Sequence, residues 1–335
     1  MSKARIVIAG AGNIGCYVGG LLAAAGRPVT LLGRERIGRE LREHPLRLTS
    51  LDGLDLEIGP GSFRFASDPG ALSEADLIVV TVKSGATAEM AGLIASHASE
   101  RAIVISLQNG VGNADTLRSA LAGRRVLAGM VPFNVLHLGN GRFHRGTSGD
   151  LVIETSDATL LEPMAVPHLG VRPIDDITAV AWGKLVINLN NALNALSGLT
   201  LHEQLQDRRW RRVLAAQQSE ALDLLRLAGV DPAGIGKFPL KWFPTVLRLP
   251  TPLFRRLASS AVRIDRQARS SMWDDLERRR PTEIAELQGA VVDLARRLGR
   301  PAPVSERIIA LIRDAEAKGE GSPGLDPAQV LPRAA

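Results

Sequence analysis

Runs of apolar residues four positions long recur along the first half of the chain, and they set the expected architecture. The first is Ile6–Ala9. It is followed by GAGNIG, by a helix-like stretch that continues through Leu22 and stops near Gly26, and by a second apolar run at Val29–Leu32. Strand, glycine-rich turn, helix and strand together predict one right-handed βαβ unit with a parallel pair. Further buried strands are predicted at 77–82, Ile103–Ser106 and 126–129, each about one helix and loop beyond the last. Leu151–Glu154 is expected as another strand, antiparallel at the sheet edge. Near Pro173 the pattern changes: strand signals stop, and helical periodicity governs 179–196, 211–227 and 281–298. Residues 237–252 break that periodicity with prolines and predict a loop or short helices. The Gly- and Pro-containing tail after Lys318 is expected to fray. The expectation is an α/β Rossmann doubly wound sheet over residues 1–174, which binds the cofactor, and an all-α substrate-binding domain over 175–335.

Composition narrows the function classes. A chain of 335 residues accommodates two domains of about 150 residues each. No apolar stretch reaches the ~20 residues of a membrane span, and one Lys followed directly by a strand-like segment gives no secretory signal. The one cysteine, Cys16, excludes an intramolecular disulfide and suits a reducing, cytoplasmic setting. Cys16 stands just after the glycine turn at a helix start, where a thiol can be activated or can simply pack. The net charge of +6 includes clusters at Arg208, Arg209, Arg211 and Arg212 and at Arg278, Arg279 and Arg280. Without a nucleic-acid motif, solvated helix faces and a field attracting anionic ligands account for it. No metal-ligand set and no internal repeat is read. A small-molecule substrate is expected, with neither nucleic acid nor membrane as partner, and a homodimer is one option for assembly.

The glycine turn carries the cofactor reading. Gly10 allows a tight turn, Gly12 lets backbone approach a pyrophosphate, and Gly15 lets helix and strand pack closely; with Asn13 and Ile14 they open a helix whose free N–H groups receive an anion. An acidic residue ending the second strand would bond an NAD ribose. Here that place is held by Arg34, whose guanidinium suits the 2′-phosphate of NADPH, with Glu35 as the competing signal for NAD.

Chemistry is expected elsewhere too. Lys83 in TVKS and Asn109 in SLQNG stand at the carboxyl ends of successive strands, where open α/β sheets bind ligands; each is also an ordinary turn residue. At about 100° per residue, Lys184, Asn188 and Asn191 form a narrow polar stripe beside the apolar arc of Leu185, Val186, Leu189, Leu193 and Leu196. That is an unusual solvent face and a reasonable recognition face: amides for substrate oxygens and one amine for proton transfer. An interdomain packing face would look similar. Glu283 follows Pro281 in a helix first turn, where the macrodipole alone would favour it, and Asp274 and Asp275 could form a solvated face.

In this order, GAGNIG, TVKS, QNG, the Lys-to-Asn helix, and SSMWDD followed by TEIAELQG resemble the ketopantoate reductase family over most of the chain. The resemblance implies an NADPH-binding Rossmann domain, a helical domain like the C-terminal domain of 6-phosphogluconate dehydrogenase, and an active site in the cleft between them. It further implies Lys184 as general acid and Glu283 as the carboxylate orienting it. Asn188 and Ser271 would be substrate ligands, and Asn109 would lie near cofactor and substrate. Lys83 would stand beside the nicotinamide, and Arg34 on the 2′-phosphate. Three departures stand out. The second asparagine, Asn191, follows Asn188 by three positions rather than four and precedes Ala192 rather than proline. Gln288 replaces an asparagine. The 236–260 stretch is long. The expected reaction is hydride transfer to the carbonyl of a 2-oxo acid. A related hydroxy-acid or phosphorylated-polyol dehydrogenase is the enzymatic rival, and an NADP-binding sensor is the non-enzymatic one.

Overall fold

The computed structural model describes residues 4–234, 238–258 and 267–331. The chain forms two compact units that meet in sequence between Ile177 and Thr178.

The first unit contains β1 (Ile6–Ala9), β2 (Val29–Leu32), β3 (Leu46–Ser50), β4 (Asp55–Ile58), β5 (Arg64–Ala66), β6 (Leu77–Val80), β7 (Ile103–Ser106), β8 (Val126–Met130), β9 (Val135–Gly139), β10 (Arg142–Arg145), β11 (Leu151–Glu154) and β12 (Val171–Ile174). Its α-helices are α1 (Asn13–Ala24), α2 (Glu35–Glu43), α3 (Thr87–His97) and α4 (Asn113–Ala120). The main sheet runs β12-β11-β8-β7-β6-β1-β2-β5. Strands β1 and β6 are buried at every position, which is why they read as unbroken apolar runs. Ile6 lies opposite Val29 on one side and Leu77 on the other. From β1 the chain works outward through β2 to β5, then returns to β6 and works the other way. The reversal makes the carboxyl ends of β1 and β6 the topological switch point, where such sheets bind ligands.

The strand at 151–154 is antiparallel to β8, with Ile153 opposite Gly129, but it is not at the edge: β12 pairs with it in parallel from outside. The chain Val-Arg-Pro-Ile of β12 has no buried run to betray it, and a proline there is tolerated because the strand has a free side. A second sheet, β4-β3-β10-β9, was not expected. Its strand β10 pairs in parallel with β3, Arg142 opposite Arg47, and no local pattern reports a pairing over such a separation. The sheet explains α1. Leu46, Leu48 and Phe143 join Tyr17 and Leu21 in one core, so α1 is covered on nearly all sides and its sequence is apolar all round.

The second unit is helical: α5 (Thr178–Asn188), α6 (Asn190–Ser197), α7 (Leu201–Gln206), α8 (Arg208–Leu227), α9 (Phe243–Arg248), α10 (Thr251–Ala258), α11 (Ser271–Glu277), α12 (Ile284–Arg297), α13 (Pro303–Lys318) and α14 (Pro327–Val330). Residues 238–252 form short helices; Gly236, Lys237 and Ser260 lie outside the described residues.

The arginine clusters are not simply solvated faces. Arg211 is fully buried. Its guanidinium donates to the carbonyls of Leu205 (2.9 Å), Leu247 (3.1 Å) and Leu249 (2.9 Å) and stacks 4.3 Å over the Phe254 ring. It thereby ties α7, α9 and α10 to the start of α8. Arg280 pairs with Asp274 at 2.7 Å and with Asp275 at 3.3 Å, and Asp275 is buried. The described part of the tail, through Leu331, is docked rather than frayed. Ser322 Oγ donates to the Ala195 carbonyl (2.6 Å), Leu325 N to the Leu196 carbonyl (2.8 Å), and α14 begins in a capping box on Asp326.

Candidate active site

In the first unit, the residues expected to meet a dinucleotide gather at the switch point. The backbone at Gly10 has a φ of +121°, and a Cβ there would come 2.5 Å from Val82 N. Glycine is therefore required both for conformation and for contact with the end of β6. A Cβ on Gly15 would come 2.1 Å from the Gly10 carbonyl oxygen and 2.7 Å from Thr81 Oγ1, which itself donates to that carbonyl at 2.7 Å. A Cβ on Gly12 would meet nothing within 4 Å. Gly12 caps α1, whose first turn holds no acidic side chain. The N–H groups of Asn13, Ile14 and Gly15 lack intrahelical partners by the geometry of any helix start. This open, donor-lined cradle fits a pyrophosphate. The Asn13 side chain is otherwise engaged: its Nδ2 donates to Val135 O at 2.9 Å and fastens β9 to the loop.

These contacts separate two kinds of glycine experimentally. Gly15→Ala is expected to cost about 1–3 kcal/mol of stability by overpacking, read from thermal unfolding. Gly12→Ala is expected to leave unfolding unchanged and to weaken nicotinamide-dinucleotide binding alone, read by fluorescence titration.

Arg34 is exposed at the N-cap of α2, directly after β2. Glu35 next to it is committed to Arg42 by a side-chain hydrogen bond, and that guanidinium, with Ser67, holds its carboxyl below the usual range. Of the two competing cofactor signals, the carboxylate is paired within its own helix.

The loops carrying Lys83 and Asn109 are locked together by buried polar side chains. Gln108 Nε2 donates to Val82 O (3.1 Å) and to Thr87 Oγ1 (2.7 Å), and Ser106 Oγ donates to Gln108 Oε1 (2.9 Å). Thr87 Oγ1 donates to Asn113 Oδ1 (2.8 Å), while Asn113 Nδ2 reaches Ser84 Oγ (3.0 Å) and the Asn109 carbonyl. Ser84 Oγ also donates to the Asn109 carbonyl (3.0 Å). The QNG turn is completed by Gly110 in the left-handed region, φ +91°. Gln108, Asn113, Thr87 and Ser84 were missed from sequence; buried (all under a tenth exposed), they act by positioning.

In the second unit, Lys184 stands on α5. Burial pushes its amine down to about 8, and the charge of Glu283 works in the opposite direction. Glu283 is the N-cap of α12 rather than a first-turn residue, and it makes no cap hydrogen bond with its side chain. The expected single helix is interrupted: α5 ends at Asn188 and α6 starts at Asn190, so Asn191 belongs to a different helix from Lys184 and Asn188. Asn188 and Asn191 are part-buried.

Neighbouring polar side chains hold this corner. Ser270 caps α11: its Oγ accepts from Trp273 N (3.1 Å) and donates to the Asn191 carbonyl (2.9 Å), and its own N–H donates to Asn194 Oδ1 (2.8 Å). Asn194 Nδ2 then donates to Leu199 O (3.0 Å) and Gln204 Oε1 (3.2 Å). The buried Ser270 therefore builds the corner, while the next residue, Ser271, is exposed. Asn190 pairs with Gln204, whose Nε2 reaches Asn190 Oδ1 at 2.9 Å. Cys16 is fully buried, and burial pushes its thiol up, which removes the reactive reading. Among the described residues no group of three or more His, Cys, Asp or Glu could hold a metal ion, and no helix is long and apolar enough to cross a membrane.

Comparison with known proteins agrees with this layout. The family model Ketopantoate reductase PanE/ApbA matches residues 6–158, and its C-terminal counterpart matches residues 176–316. A 2-dehydropantoate 2-reductase of Halobacterium salinarum is 30% identical over 326 residues, covering 94% of this chain and 100% of that protein. A crystal structure of a PanE/ApbA family ketopantoate reductase from Ralstonia eutropha JMP134 is 31% identical, with a TM-score of 0.80, covering 94% of this chain and 99% of that one. A D-mandelate dehydrogenase solved with NADH and anilino(oxo)acetate shares the fold at 19% identity, with a TM-score of 0.78 and coverage of 94% and 99%. The chain belongs to the ketopantoate reductase family, oxidoreductases acting on a CH–OH group.

Proposed function

We propose that this protein uses NADPH to reduce 2-dehydropantoate (ketopantoate) to (R)-pantoate, in the cytoplasm, as the reductive step toward pantothenate and coenzyme A. The observation that carries the reading is the part-buried Lys184, whose amine is lowered by burial and raised by the charge of Glu283, in a chain of this family. The Halobacterium relative named above bears the name of this activity over its whole length.

Gly10, Gly12, Asn13, Ile14 and Gly15 would hold the pyrophosphate, Arg34 the 2′-phosphate, and Lys83 and Asn109 the nicotinamide end. A reduced nicotinamide bound there supplies the hydride. The chain's own residues do the rest. Lys184 holds a proton at Nζ and delivers it to the substrate oxygen as negative charge develops there; its cation also stabilises that charge before transfer. Glu283 favours the charged lysine against the desolvation that opposes it. Asn188, Asn191, Asn109 and Ser271 would fix the substrate through its hydroxyl and carboxylate oxygens, since amide and hydroxyl groups donate and accept at once. The shift of the second asparagine to Asn191, beyond the break at Leu189, favours a substrate contact that differs from the family pattern.

The test is a turnover assay with ketopantoate, following NADPH absorbance and repeating it with NADH and a panel of other 2-oxo acids. Oxidation of NADPH with ketopantoate as the preferred acceptor is expected. Preference for another 2-oxo acid would replace the substrate, and NADPH binding without oxidation by any of them would overturn the enzymatic reading.

A further inference from the structure

We infer that Gln288 is a positioning residue for this reduction: its carboxamide, bonded to the carbonyl of Leu189, sets the break between α5 and α6 and so the presentation of Lys184, Asn188 and Asn191. The inference rests on the reading of Lys184 as proton donor.

The break is local. Leu189 keeps right-handed helical angles, φ −54° and ψ −26°, and its N–H still bonds Leu185 O at 3.0 Å. What differs is the set of side chains that reach the carbonyls of this segment. Gln288 Nε2 donates to Leu189 O at 2.9 Å, Gln218 Nε2 to Val186 O at 3.3 Å, and Ser270 Oγ to Asn191 O at 2.9 Å. A side chain inserted into the i→i−4 ladder is a recognised cause of a kink. Both glutamines are buried, Gln288 completely.

Gln288 also spans the two helices that carry the reactive pair. Its position is five beyond Glu283 on α12, and Leu189 is five beyond Lys184 on the α5 side. At 1.5 Å per residue, each separation is about 7–8 Å along the chain axis. The hydrogen bond and the Lys184–Glu283 interaction therefore connect the same two segments about one and a half turns apart, and the uncharged connection constrains the spacing of the charged one.

Stability alone is a poor account of this side chain. Gln288 Oε1 is buried and finds no hydrogen-bond partner among the described residues, and a buried, half-used amide carries a desolvation cost that an apolar residue of similar size would not. Its contribution is the direction in which it holds Leu189. The family resemblance expects an asparagine at this position, whose amide would stop one methylene short of the reach seen here.

The test uses the full-length protein. Gln288→Met, near-isosteric and without a donor, is expected to lower kcat with the preferred 2-oxo acid by about 10- to 100-fold, the range for a misplacement near 1 Å. NADPH affinity should stay within about twofold, since the dinucleotide residues lie in the other unit. Gln288→Asn, which retains the donor, is expected to fall between wild type and Gln288→Met. Backbone hydrogen exchange over residues 187–192 should accelerate in both. A folded Gln288→Met with kcat and KM within about twofold of wild type would overturn the inference; if that variant does not fold, the same result in Gln288→Asn does so. Unchanged exchange over 187–192 in a folded variant would overturn it whatever the substrate. A wild-type protein that turns over no 2-oxo acid would instead strike the proposed function, leaving the exchange result to decide the role of Gln288 in the break.

Discussion

Lys184→Ala is expected to lower turnover of the 2-oxo acid by about 10²-fold or more while leaving NADPH affinity nearly unchanged. The alkoxide that forms at the substrate carbonyl needs both a proton and a nearby positive charge, and the variant removes both. The pH dependence carries a second, signed expectation. Burial has brought the lysine down to about 8. A proton donor works only in its protonated form, present below that value and lost above it. In the direction of reduction, the rate should therefore be flat on the acid side and decline about tenfold per pH unit beyond about 8. Glu283 opposes the effect of burial, so Glu283→Gln should move the decline to lower pH, with the loss of rate at neutral pH following from it. An alkaline limb that does not move in Glu283→Gln would separate the carboxylate from the lysine. Unchanged turnover in Lys184→Ala would remove the amine from the mechanism.

The parts of this arrangement that were legible in the sequence are those with a local signature. Unbroken apolar runs mark β1, β6 and β7 because parallel strands are buried on both faces, and GAGNIG between β1 and α1 has a steric reason at Gly10 and Gly15 and open space at Gly12. The parts that were not legible depend on distant partners. Strands β3 and β10 carry no run of consecutive buried positions, and their mutual pairing joins the local pairs β3–β4 and β9–β10 into one sheet. The tail after Lys318 is expected to fray from its composition, yet Ser322 and Leu325 find carbonyl partners on α6. In the candidate site the same division holds. The stripe of Lys184, Asn188 and Asn191 follows from helical periodicity, but the break at Leu189 depends on Gln288, about a hundred positions away in sequence, and periodicity contains no term for that. Of the adjacent serines, a sequence reading favours Ser271 as ligand and is silent on Ser270, whose capping bonds fix where Ser271 stands.

Arg34→Ala is expected to raise KM for NADPH about 10- to 100-fold and to leave KM for NADH nearly unchanged, because the dinucleotides differ by the one phosphate that the guanidinium would hold. A charge-assisted hydrogen bond contributes about 1.5–3 kcal/mol, and each 1.4 kcal/mol is about tenfold in affinity. Arg34 is suited to this by its surroundings as much as its charge: it is exposed at the end of β2, and its side chain makes no cap bond to α2. Glu35 is the residue that would argue for NAD, but its carboxylate is held by Arg42 and Ser67. Reaching a ribose hydroxyl would require breaking those bonds, so Glu35→Ala should leave the NADPH-to-NADH preference nearly as it was. Arg34→Glu should go further than Arg34→Ala, adding repulsion between carboxylate and phosphate to the loss of the fork. Because the site is exposed, the Arg34-dependent part of the preference should also shrink as salt is raised. Equal use of both cofactors by the wild type, or a preference that survives Arg34→Ala while Glu35→Ala abolishes NADH binding, would reverse the assignment of these two side chains.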